Sequence, residues 1–121
     1  MRLSKRKINP TIEKQVYQIF YQALSDIHSS QETENFLKEI LTKTELEAIA
    51  KRLAVAVYLE KGRSYENIKE MLKVSSATVA TVAEQMKTGK GYQIALKKIQ
   101  ADEWADKWAR KLNSMIGKNH N

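Results

Sequence analysis

The sequence predicts an all-α fold of six helices. Three features carry that prediction: apolar residues recur at helical spacing along most of the chain, polar caps stand where those runs begin, and no segment alternates with period two for long enough to form a strand. At 121 residues the chain is one domain's worth. An ordinary fold of that size buries about two-thirds of its unfolded surface around one core.

The first helix is expected from about 10 to 28. Asn9 stands at its cap, Pro10, the sole proline, at its first position, and Ile12, Val16, Ile19, Phe20, Ala23, Leu24 and Ile27 on one face. Ser30, with Thr33 close behind, is placed to cap a short second helix holding Phe36, Leu37, Ile40 and Leu41. Thr42 and Glu45 have capping-box spacing, and Leu46, Ile49, Ala50, Leu53, Ala54, Val57 and Tyr58 then keep one stripe until Gly62. This predicts a third helix over 43–61, followed by a fourth over 64–72 and a fifth over 75–87. Gly89 and Gly91 are expected to break the chain before a last helix, 92–116, carrying Ile94, Ala95, Trp104, Trp108, Leu112, Met115 and Ile116 on one side. The two tryptophans read as core, or as packing on another chain. Residues 1–9 read as a flexible basic arm, 10–116 as the helical domain with a helix-turn-helix at 64–87, and 117–121 as a disordered tail.

Net charge is +7, unevenly spread. Residues 1–12 hold four bases and no acid, 13–60 are net −3, and 61–98 are net +5. A polyanion is the natural partner of such a surface, because each Lys or Arg set on a phosphate releases condensed counterions. Cysteine is absent, which excludes disulfides and thiolate chemistry and suits a reducing compartment. No stretch approaches the roughly 20 apolar residues that cross a bilayer. A soluble, cytoplasmic protein without membrane contact is expected.

A helix-turn-helix needs apolar residues that lock two helices across a turn. Ile68, Leu72, Val74, Val79 and Val82, at spacings of 4, 2, 5 and 3, supply them. Ser75 and Ser76 offer a hydroxyl cap for the second helix, whose free N–H groups can also receive a phosphate. Lys73 occupies the turn position where a left-handed backbone favours glycine. With the apolar positions turned inward, Ser76, Ala77, Ala80, Thr81, Glu84 and Gln85 face outward, with Thr78 beside them. That face can offer hydroxyl contacts, a methyl contact to thymine and a Gln85 pair with adenine, but no arginine for guanine. Lys69, Lys73, Lys87 and Lys90 surround it and suit phosphates, as do Arg2, Lys5, Arg6 and Lys7 of the arm. Double-stranded DNA is therefore the expected partner.

The run from Leu41-Thr-Lys-Thr-Glu-Leu-Glu-Ala-Ile-Ala-Lys-Arg52 through Ser75-Ser-Ala-Thr-Val79 resembles the Trp repressor family, and Met86-Lys-Thr-Gly-Lys-Gly-Tyr92 resembles its YerC/YecD-type branch. The likeness spans about residues 36 to 98. It implies a six-helix Trp-repressor-like fold, an intertwined homodimer, and a transcriptional regulator, a repressor in the founding member, presenting one helix-turn-helix per subunit. It also implies an effector pocket, onto which Thr42, Arg52, Thr78 and Thr81 fall by position. The founding member's ligand is L-tryptophan, held partly by an arginine followed by glycine. This chain has Thr81-Val82 there. Threonine neither stacks on an indole nor pairs with a carboxylate, and valine fills space that glycine leaves open. An effector other than L-tryptophan, or none, is the expectation.

An enzyme needs convergent groups in a pocket. His28 and His120 stand alone, and Gly89-Lys90-Gly91 is too short for a phosphate loop and follows no strand. Neither enzyme activity nor a metal or cofactor is expected. The rival reading is a dimeric interaction module that binds RNA or a protein, its helix-turn-helix purely architectural; that role would bury the Ser76–Gln85 face, whereas DNA reading requires it open.

Overall fold

A computed structural model describes Met1 and residues 3–119, with side chains described through residue 116. Arg2 of the expected arm and His120 and Asn121 of the expected tail lie outside the described residues. The described chain holds six α-helices and no strand: α1 Pro10–Asp26, α2 Ser30–Ile40, α3 Lys43–Glu60, α4 Tyr65–Leu72, α5 Ser76–Thr88 and α6 Lys90–Asn119. It divides into two compact units, Met1–Leu46 and Glu47–Asn121.

In the first unit Asn9 caps α1 as predicted, its Oδ1 accepting from the Thr11 amide at 2.8 Å. The helix stops at Asp26, two residues early, because Ile27 turns extended and His28 follows outside it. Ser29, not Ser30, caps α2: its hydroxyl accepts from the Glu32 amide at 3.0 Å, which places Ser30 inside the helix. The Thr42 and Glu45 pair closes as a reciprocal box. The Thr42 amide donates to Glu45 Oε1 at 2.8 Å and the Glu45 amide donates to Thr42 Oγ1 at 3.1 Å. Neither α1 nor α2 contains a buried residue; Phe20, Leu24, Phe36 and Leu37 are only half-buried.

The second unit holds the core: Val55, Ala56, Ile68, Val79, Val82 and Leu96, with Leu72, Val74, Met86 and Tyr92 packed around it. The inward set predicted for the helix-turn-helix is the set found, with Ile68, Val79 and Val82 fully buried. Each contributes about 1.5–3 kcal/mol through burial. The stripe predicted for α3 is only partly the covered one: Val57 and Tyr58 are half-buried against the core, but the fully buried residues lie off the stripe. Ile49 remains 55% and Leu53 38% exposed, while Val55 and Ala56 are sealed. Val55 lies about half a helical turn away from Leu53, so α3 has two apolar sides and α4–α6 cover only one. Leu96 is the core member of α6, whereas Ile94 is 57% exposed.

Chain breaks follow local chemistry. Gly62, at φ +81, ends α3: its amide bonds Leu59 O at 3.0 Å and the Arg63 amide bonds Tyr58 O at 3.1 Å, the paired pattern of a left-handed helix stop. Only one of the two later glycines breaks the chain. At Gly89 a Cβ would lie 2.5 Å from Gln85 O, whereas one at Gly91 would meet nothing. Gly91 sits in the first turn of α6, which therefore begins at Lys90 and not at 92.

Three outcomes are expected. Lys73 holds φ 55, so Lys73→Gly should stabilise the fold by about 0.5–1 kcal/mol, read by thermal denaturation. Ile68→Ala should cost about 2–5 kcal/mol in the same assay. The third concerns acid. The Thr42 amide and hydroxyl hold the Glu45 carboxyl below the usual carboxylate range, and the Lys38 ammonium 2.7 Å from Glu34 does the same there. Because folding lowers both values, their contribution is complete above the ordinary carboxylate pKa and is lost as pH falls through the lowered one. Glu45→Gln should therefore reduce the steepness with which the melting temperature falls under acid.

Candidate nucleic-acid interface

The helix-turn-helix is assembled from a cap, a stop and a second cap. Ser64 caps α4 by accepting from the Asn67 amide at 3.1 Å. α4 ends at Lys73, the one non-glycine residue with positive φ among those described. Ser75 then caps α5, its hydroxyl accepting from the Thr78 amide at 3.1 Å and lying 3.0 Å from Thr78 Oγ1. Val74, between stop and cap, turns its side chain toward the core. The turn direction is thus set by a left-handed residue and a half-buried valine packed on the core rather than by a glycine.

This geometry decides which face of α5 is free. Val79 and Val82 are sealed, and Ser76, Ala77, Ala80, Thr81, Glu84 and Gln85 are all exposed. Thr78 is half-buried beside them. The outward set expected from periodicity is therefore the solvent-facing set. It is hydroxyl- and methyl-rich and carries a single acid.

The lysines stand around it in two conditions. Lys69 reaches Glu66 at 3.3 Å and Lys87 reaches Glu84 at 3.0 Å, both at i,i+3 spacing. The Glu84 hydrogen bond and charge raise the Lys87 pKa above its ordinary value. Among the described residues Lys73 and Lys90 form no ion pair, and both are exposed. Both pairs are visible in the sequence as i,i+3 spacings of opposite charge, the signal that separates Lys69 and Lys87 from Lys73 and Lys90. Surface pairs of this kind contribute little to stability and hold their lysines only weakly.

Three of the four candidate effector residues meet or approach one another. Arg52, Thr78 and Thr81 line a cleft of about 150 Å³ together with Ala77 and Val82. Thr42 belongs to the other compact unit, where its hydroxyl is engaged with the Glu45 amide. Val82 is 1% exposed, so its side chain occupies the inner wall of the cleft. No helix of the described residues is long and apolar enough to cross a membrane.

The family model described as Trp repressor protein matches residues 15–100. The uncharacterized protein YerC of Bacillus subtilis (strain 168) is 30% identical over 91 residues, which cover 74% of this chain and 86% of that protein. No solved structure matches the chain. With a helix-turn-helix whose second helix keeps one face open, and a family match over most of its length, the chain belongs to the Trp repressor family of helix-turn-helix DNA-binding regulators.

Proposed function

We propose that the protein is a homodimeric repressor that binds double-stranded DNA through the exposed face of α5 and does not respond to L-tryptophan. The observation that carries this reading is the division of α5: its valines are spent on the core, and the face from Ser76 to Gln85 is open. An architectural helix-turn-helix, the alternative for an RNA- or protein-binding module, would bury that face.

Affinity in this reading comes from phosphates. Lys69, Lys73, Lys87 and Lys90 supply charge beside the turn and at both ends of α5, and the amide end of α5 at Ser75 and Ser76 suits one phosphate oxygen. Base reading falls to Gln85 against adenine and to Ala77, Ala80 and Thr81 against thymine methyls and mixed acceptors. Hydroxyl and methyl contacts discriminate weakly, so DNA shape and half-site spacing share the specificity.

The dimer is supported by what a single chain leaves uncovered. α1 and α2 bury no residue, and Ile12, Val16, Ile19, Ile49 and Leu53 stand exposed on α1 and α3. A second copy is the economical cover for two helices without a core. Against tryptophan stand Thr81 and Val82, and a cleft of about 150 Å³, when ligand pockets run to about 300–1,000 Å³.

A mobility shift on random duplexes with salt titrated tests the function. Lys73→Ala and Lys87→Ala should each weaken binding to all sequences alike and reduce the salt slope by about 1. A loss confined to one sequence would remove these lysines from the phosphate grip. Millimolar L-tryptophan should leave the shift unchanged; a tenfold gain in affinity would refute the proposed insensitivity.

A further inference from the structure

The second half of α6 is unexplained by the DNA-binding reading. The family match stops at residue 100, yet the helix continues to Asn119. Every residue from 101 to 116 is exposed. Trp104 is 63% and Trp108 43% exposed, and Leu112, Met115 and Ile116 are each at least half exposed. The indoles are nonetheless ordered against one another, 5.6 Å apart and tilted, and the Lys111 ammonium lies 5.3 Å from the Trp108 ring. Such a surface is too apolar to be a solvated face.

Its pattern specifies a helical partner. Ala101, Ala105, Trp108, Leu112 and Met115 follow at spacings of 4, 3, 4 and 3, the seam of a coiled coil. Size and charge along that seam are both polarised. Alanines fill its first two positions, larger side chains its last three. The acids Asp102, Glu103 and Asp106 precede the bases Lys107, Arg110 and Lys111. Turned end for end about a two-fold axis between 106 and 107, residues 101–112 become their own complement. Ala101 then meets Leu112 and Ala105 meets Trp108, so each of the four layers within 101–112 joins a small residue to a large one, while Met115 lies beyond them, opposite Lys98. The same rotation lays the acidic half of one helix beside the basic half of the other, within the roughly 8–10 Å over which such charges are felt. A parallel arrangement instead stacks tryptophan on tryptophan, alanine on alanine and like charge on like charge.

We propose that residues 101–112 pair antiparallel with the same segment of a second copy of this chain. The seam is about 18 Å long, too short to hold two chains by itself. It acts as a tie between chains already associated, and in that respect rests on the dimer proposed above.

The absence of cysteine makes a direct test simple, because single cysteines can carry spin labels in the full-length chain. Lys107→Cys and Ser114→Cys occupy the same heptad position one repeat apart, outside the seam. Antiparallel pairing offsets the two 107 sites by about 1.5 Å along the axis and the two 114 sites by about 22 Å. The dipolar distance at 114 should therefore exceed that at 107 by about 10–15 Å, and Trp108→Glu should abolish the defined distance at 107. Equal distances at both sites, or a 107 distance that survives Trp108→Glu, would overturn the proposal. So would the lack of any defined distance at 107 in a sample whose solution mass is that of two chains, and that result would leave the dimer standing. A single-chain mass would overturn the dimer, and the pairing with it.

Discussion

The helix-turn-helix of this chain depends on one packing event, the burial of Ile68 of α4 in a common cluster with Val79 and Val82 of α5. These three side chains, with Val55 of α3, are the largest fully buried groups among the described residues. Because Val79 and Val82 are three residues apart on a helix, sealing both leaves the opposite side of α5 in water. The open face is thus a product of the core. Nothing in α5 is charged toward its start, and nothing needs to be. The helix is aimed by valines, and the lysines lie on its neighbours and at its end.

A left-handed lysine closes the turn between the two helices. Lys73 tolerates φ 55 because its side chain projects into solvent and Val74 drops into the core immediately after it. The strain is modest, and it fixes a cation beside the start of α5, where the Ser75 cap leaves backbone amides available for an anion.

Much of this was readable from residue order. The five apolar positions of the helix-turn-helix are the ones its packing requires, and the hydroxyl caps at Ser75 and Thr42 have side chains whose reach is fixed, whereas Ser64 is a cap and not the first residue of α4. What could not be read is instructive. Both Ser29 and Ser30 can cap, and only the extended backbone at Ser29 selects it. α3 carries apolar residues on two sides, so periodicity picked the stripe with the larger side chains, whereas tertiary packing buried Val55 and Ala56. Leu96 was hidden because it falls off the stripe that carries the tryptophans, and that stripe belongs to a surface α6 leaves open. Gly89 and Gly91 are chemically identical; only the approach of Gln85 O distinguishes the one that must be glycine. In the candidate site, residue identity located the exposed face and the lysines around it, and the structure added which lysines are paired and how little room the cleft beside Arg52 offers.

The central claim is that the exposed side of α5 is the surface that meets a duplex. The most direct measurement is residue-resolved NMR of the full-length protein titrated with duplex DNA. The account predicts that the largest perturbations fall on Ser75 to Gln85 and on Lys73, Lys87 and Lys90, with the amides of Val79 and Val82 moving less than their neighbours. Perturbations centred on α1 or on the tryptophan-bearing end of α6, with α5 unchanged, would contradict it.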